Sequence, residues 1–219
     1  IIDTVNGGSS ENGKLLYLDS SNNYRIDEND GSVCPVNAEG WLLSTSDSAK
    51  TEIASSEKYS VSFDLKTTKD ADDTGRLATF WLFTNETPSN PENPKEKENK
   101  GRLGVFYINK NELSLSGNGN EGNRKSISIT PEKWVNIEYV VYPKKEENDI
   151  NKVQWYVNGE LVLDGSLTSQ NVFWRMSENR ILNNIYGLGL KKDAFYLKNF
   201  KLSTIENTDE SQTFSVSAS

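Results

Sequence analysis

Residues 59–66 read YSVSFDLK, and this alternation of apolar and polar side chains is the strongest constraint on what the chain can fold into. Val61, Phe63 and Leu65 fall on one face of an extended strand, with Ser60, Ser62, Asp64 and Lys66 on the other. A period of two sends successive side chains to opposite faces of a sheet, one dry and one wet. The pattern returns along the chain. Val135, Ile137, Tyr139 and Val141 alternate with Asn136, Glu138 and Val140, and residues 194–202 (AFYLKNFKL) alternate again. Residues 76–84 and 103–108 are apolar on both faces, as central strands are when their second side is covered or faces a ligand. Between VQWYV and ELVLD stands Asn158-Gly159, a pair suited to a two-residue hairpin turn. With further strands near residues 15–18 and 41–43, and no amphipathic helix of three turns, the chain is expected to be all-β. Many short strands with turns between them predict a two-sheet antiparallel sandwich.

Residues 1–205 are expected to form one such domain, and the polar stretch 206–219 a linker or, through 213–216, a last edge strand. Two segments break the rhythm. Residues 85–101 (NETPSNPENPKEKENKG) are Pro-rich and charged, so they read as a long loop, and Asn85-Glu86-Thr87 fits the N-glycosylation pattern. Residues 166–184 (SLTSQNVFWRMSENRILNN) read as a second long connection that carries Val172, Phe173, Trp174 and Met176. With neither an initiator Met nor a leader pattern, the chain reads as a mature or excised part of a larger exported protein, a monomeric module.

Chemistry is narrowed mostly by what is missing. There is no histidine, which removes the commonest general base, the commonest metal ligand and the Ser-His and Cys-His nucleophile pairs. The single cysteine, Cys34, forbids an internal disulfide and reads as a small buried hydrophobe. A net charge of -8 argues against nucleic acid, whose binding needs Lys and Arg on phosphates, and favours neutral partners. No apolar run approaches the ~18 residues of a membrane span. Asp27, Glu28 and Asp30, and likewise Asp70, Asp72 and Asp73, read as solvated turns in preference to a calcium site.

Residues 131–163 resemble the concanavalin A-like lectin/glucanase superfamily, which includes the laminin-G-like domains. Trp134 opens a strand, a run ends in Val140, Val141 and Tyr142, a polar loop follows, and Tyr156-Val157-Asn158-Gly159 closes the next strand. YSVSFDLK resembles that superfamily's opening strand. AFYLKNFKL is similar to its closing strand and to that of jelly-roll carbohydrate-binding modules of bacterial polysaccharide-degrading systems. The resemblance implies a lectin-like jelly roll. It also implies a structural calcium held by an Asp of the closing strand, but Lys198 and Asn199 stand there, and lysine is a poor occupant of a cation site. No cofactor is expected. Glycosidases of this fold carry Glu-x-Asp-x-x-Glu on one strand, a spacing absent here, since Glu138 stands alone. The chain is therefore expected not to be an enzyme.

Sugar recognition needs aromatic faces for pyranose rings with amides, carboxylates or Arg for the hydroxyls. Trp155 shares a face with Val153 and Val157 and is expected in the core, as is Trp134, while Trp41, after Ala-Glu-Gly and before Leu-Leu, is ambiguous between packing and binding, with packing favoured. Trp81 lies with Leu77, Thr79 and Phe83 on a strand apolar on both faces and is a binding candidate. Trp174, beside Arg175 in a polar connection where no strand period requires it, is the foremost candidate. Tyr156 and Gln154 should face away from Trp155, and Tyr107 and Arg102 lie on a neighbouring strand. The expected function is attachment of an extracellular enzyme or cell-surface assembly to a neutral polysaccharide. An α-glucan such as starch is favoured over β-glucan, because loop-borne aromatics suit a curved chain. The alternatives are a protein-binding adhesion module that uses loop 85–101 and, behind it, a cryptic lyase or hydrolase.

Overall fold

The computed structural model describes residues 2–5, 16–18, 23–84, 102–116, 124–142, 152–166 and 181–206. Its strands make two antiparallel sheets, as the alternation predicts. In the first, β13 (Glu160–Ser166), β12 (Lys152–Val157), β11 (Val135–Val141), β6 (Ser56–Thr67), β15 (Phe195–Glu206), β4 (Val33–Pro35) and β3 (Tyr24–Ile26) pair in that order, and β1 (Ile2–Val5) joins β15 as an eighth strand. The second runs β10 (Arg124–Ser128), β9 (Glu112–Ser116), β8 (Arg102–Asn109), β7 (Arg76–Thr84), β14 (Leu182–Leu188), β5 (Glu39–Thr45) and β2 (Leu16–Leu18). The architecture is an all-β jelly-roll sandwich.

The alternating strands put their apolar sides between the sheets. Val61, Phe63 and Leu65 of β6 are buried, and β6 lies between β11 and β15 at the middle of its sheet. Phe106 of β8 crosses to meet them. Its ring stacks on Phe80 at 4.9 Å, packs on Phe63 at 5.3 Å and meets the edge of Trp155 at 5.8 Å. Trp155 is fully buried, as its face predicts. The Asn158-Gly159 pair turns β12 into β13 with φ of 51° and 80°, the left-handed pair that a type I′ hairpin requires. Asn158 also ties the hairpin to β11, since its Oδ1 accepts from the Asn136 amide at 2.9 Å. Cys34 is buried as expected, and burial raises its thiol pKa.

Four features depart from the alternation. Leu77 is buried in the core instead of sharing the outer face of Trp81, because the pairing of β7 with β8 slips between Arg76 and Ala78 and turns it inward. Trp41 is 39% exposed on the outer side of β5 and not part of the core. A bulge at its pairing with β14, between Ile185 and Tyr186, leaves both Leu42 and Leu43 to fill the inside. A short helix, α1 (Asp47–Ser55), joins β5 of one sheet to β6 of the other. Ser46 caps it by accepting from the Ala49 amide at 3.2 Å, and only Ala49 and Ile53 are buried. Two inward residues are too few for a visible helical period.

The fourth departure is β14. It occupies the end of what reads as a connection, yet it lies between β7 and β5, inside the sheet. Its Asn183, Asn184 and Gly187 disguise it as loop. Gly187 is there for space: a Cβ would lie 2.7 Å from Tyr24 Oη and 2.9 Å from a ring carbon of Phe80. Gly187→Ala is therefore expected to destabilise the fold by about 1–3 kcal/mol through overpacking. Denaturant unfolding checks this, and an unchanged midpoint would show that Tyr24 moves aside freely.

Candidate functional site

The sequence candidates do not converge on one cleft. Trp81 and Tyr107 belong to the outer face of the seven-stranded sheet, and Tyr156 and Gln154 to the outer face of the eight-stranded sheet. Trp174 and Arg175 lie outside the described residues, as do loop 85–101 and the stretch 207–219. Arg102 is placed by register opposite Phe83 on β7, with only its backbone described.

On the seven-stranded sheet, cross-strand pairing fixes which side chains share the outer face. One row runs Trp41, Tyr186, Trp81, Val105, Ser116 and Arg124 from β5 to β10. The next runs Glu39, Leu188, Thr79, Tyr107, Ser114 and Ser126. At one end the rings gather edge to face: Trp41 lies 4.6 Å from Tyr186 and 6.1 Å from Phe83, and Trp81 lies 5.9 Å from Phe83. Burial, together with a hydrogen bond to the Glu39 carboxylate, raises the pKa of the Tyr186 hydroxyl and keeps it neutral.

The other end is cationic. The guanidinium carbons of Arg76 and Arg124 lie 4.0 and 4.3 Å from the centroid of the Tyr107 ring. Arg76 also donates to Thr79 Oγ1 at 3.4 Å. Ser114 Oγ lies 2.9 Å from Ser126 Oγ and donates to Glu112 Oε1 at 3.0 Å. Between the two ends the small residues are sunk. Thr79, Val105, Ser114 and Ser116 are all buried although they point away from the core. The face is a recessed floor with rings at one end and guanidinium groups at the other. Composition flagged Trp81 and Tyr107, but Trp41, Tyr186, Arg76 and Arg124 join them only through strand order. Of these, only Trp41 had any signal in the sequence, its ambiguous place at the start of an apolar run.

On the eight-stranded sheet, Trp134 is half-buried beneath the Lys198 and Lys66 ammonium groups, 4.1 and 4.7 Å from its ring, and not in the core. It lies immediately before β11 on the outer side, where the lysine stems cover it. Lys198 also pairs with Asp30 at 3.1 Å, and Asn199 Nδ2 donates to Asp64 at 2.7 Å. These residues do not fit a calcium ion, since an ammonium group already occupies the charge partner's place and an amide donor faces the nearest carboxylate. Among the described residues, no three acidic, histidine or cysteine side chains gather where a metal could be held. No helix among the described residues is long and apolar enough to cross a membrane.

No family model matches the sequence, and no curated protein sequence matches it. Among solved structures, the carbohydrate recognition domain of Emp46p is similar at 9% identity, with a TM-score of 0.50 over 86% of this chain and 87% of that one. An endo-β-1,4-glucuronan lyase from the fungus Trichoderma reesei is 10% identical, with a TM-score of 0.49 over 93% of this chain and 94% of that one. A mutant of alginate lyase Aly36B in complex with alginate tetrasaccharide is 14% identical, with a TM-score of 0.46 over 84% of each chain. At these identities the likeness is one of fold alone, that of a two-sheet antiparallel β-sandwich.

The expectation that the chain is not an enzyme is corrected here. Solved structures of similar fold include polysaccharide lyases beside a lectin domain, and the expectation of a non-catalytic chain does not stand against them. Missing histidine and missing paired carboxylates do not by themselves exclude catalysis, because tyrosine can also transfer a proton in a polar site.

The Asp30–Lys198 pair has its own pH signature. The Ser32 hydroxyl and backbone N–H donate to Asp30, Lys198 adds its charge, and the carboxyl pKa is lowered to about 2. A depressed carboxyl stabilises the fold above its unfolded value of about 3.9 and loses that contribution as pH falls toward 2. Wild-type protein is expected to lose stability across that window more steeply than Asp30→Asn, as thermal melts at stepped pH would show. Parallel curves would remove Asp30 from the acid response.

Proposed function

We propose that the outer face of the seven-stranded sheet binds a polysaccharide. The observation that supports this is the row Trp41, Tyr186 and Trp81 running on beside Tyr107, Arg76 and Arg124 across adjacent strands. Neighbouring strands are ~4.8 Å apart, so the three aromatic residues span roughly 10 Å, room for about two pyranose rings. Aromatic faces take the apolar side of each ring, and the Ser, Thr and Arg groups of the face pair with its hydroxyls. The floor is laid on strands held from below by the core, so little ordering is needed on binding.

The local charge favours a polysaccharide that carries carboxylates. Arg76 and Arg124 stand together on this face, and guanidinium groups match a carboxylate in shape and charge. The second reading is a neutral glucan, with an α-glucan such as starch preferred. The net charge of -8 supports it by disfavouring anionic chains at long range. In either case the domain attaches an extracellular enzyme or surface assembly to its polymer.

Affinity electrophoresis and calorimetry against acidic and neutral polysaccharides test the reading. Trp81→Ala is expected to weaken binding about tenfold, a loss of ~1.4 kcal/mol. Arg76→Gln is expected to weaken binding of the acidic polymer by a similar factor and to flatten its salt dependence. Binding of neutral glucan alone, unchanged by Arg76→Gln, would select the second reading, and no binding to either class would overturn both. Reducing-end release in the same mixtures reports whether bound polymer is cleaved.

A further inference from the structure

The opposite face of the sandwich carries a hollow that the polysaccharide reading does not use. Register across the eight-stranded sheet aligns Ser203 of β15, Ser60 of β6, Val140 of β11, Gln154 of β12 and Asp164 of β13 in one outward row. The middle of that row is sunk although it points away from the core: Ser60 is 9% exposed, Val140 8% and Gln154 6%. Longer side chains stand around it, with Lys58 and Ile205 on one side and Glu138 and Tyr156 on the other. They enclose a cleft of about 290 Å³.

Gln154 organises the cleft. Its Oε1 accepts from the Tyr156 hydroxyl at 3.1 Å and from the Tyr142 hydroxyl at 3.3 Å, and its Nε2 donates to Asp164 at 3.2 Å. One buried amide therefore sets the orientation of two phenols. The Tyr156 oxygen, which lines the hollow, has given its proton to the amide and can accept from a ligand. A polar group this deep on an outward face is costly unless it is fully paired, and here the pairing also prepares the walls.

The chemistry of the walls is mixed. Val140, the single apolar member of its row, and Ile205, 48% exposed, offer apolar surface. Glu138 and the Tyr156 oxygen accept, while Lys58 and the two serines donate. One carboxylate and one ammonium line the same small space, so neither a net anion nor a net cation is favoured. A ligand with one apolar face and a rim of hydroxyls satisfies every wall, and the volume admits one ring and not a run of them.

We propose that this hollow binds a single neutral pyranose residue, making the domain a two-faced sugar binder. The site stands on the far side of the core from the aromatic and guanidinium floor and does not rest on the reading of that floor.

The test is ¹H–¹⁵N NMR titration of the whole chain with methyl glycosides of glucose, galactose and mannose. At least one is expected to shift the amides of Ser60, Val140, Gln154 and Ser203. Tyr156→Ala should weaken that binding about tenfold. Trp81→Ala and Arg76→Gln should leave it unchanged, which separates this site from the opposite face. Because Gln154 variants risk disturbing the sheet, Ser203→Phe serves as a second blocking variant, with a thermal melt to confirm folding. Three outcomes overturn the proposal: no shifts with any of the three sugars, shifts confined to the seven-stranded sheet, or shifts around Gln154 that survive both Tyr156→Ala and Ser203→Phe.

Discussion

Phe106 is where the two sheets are joined. Its ring lies between Phe80 of its own sheet and Phe63 and Trp155 of the other, and Trp155 packs in turn on Tyr139 at 4.2 Å. Aromatic groups of this size bury large areas and prefer tilted and edge contacts, so they set the distance and angle between the layers. Everything outside the sandwich depends on that setting. The row of Trp41, Tyr186 and Trp81 is a row because β5, β14 and β7 are held side by side above Phe80. Gln154 is level with Val140 and Ser60 because Trp155, its neighbour in sequence, is anchored beneath.

The two outer faces use one device for different ends. Each has short residues in the middle of the sheet and long ones around them, so a sheet that would be a plain surface acquires a floor. On the seven-stranded sheet the floor is Thr79, Val105, Ser114 and Ser116, and rings and guanidinium groups rise at its ends. On the eight-stranded sheet the floor is Ser60, Val140 and Gln154, and the walls carry both charges. Burial of polar side chains on a solvent-side face is the common mark. Isolated serine or threonine on an ordinary sheet surface would be wet.

Much of the fold was legible because period two is a local property. The outward and inward sides of β6 and β11, the burial of Trp155 and the Asn158-Gly159 turn all follow from residues one or two positions apart. Misreadings occurred where a strand breaks its own period. Leu77 and Trp41 sit beside bulges, where an extra residue reverses the side that alternation assigns. β14 has asparagines and a glycine where apolar residues were sought, and it owes its place to neighbours on both sides. α1 is too short for a helical stripe.

The site was legible only in part. Tyr156, Gln154, Trp81 and Tyr107 were singled out singly by aromatic or amide chemistry, but their grouping was not. Tyr107 and Arg124 are seventeen positions apart and Trp41 and Tyr186 far more, so no spacing rule brings them together. The sequence by itself determined that the chain is a sandwich of alternating strands, since each strand's two-sidedness is written in adjacent residues. Only the tertiary structure decided which strands lie next to one another, and with that which side chains share a face. Strand order depends on long-range pairing and on how the aromatic core closes, and neither leaves a local trace. That order divided the candidates between two opposite surfaces of the same fold.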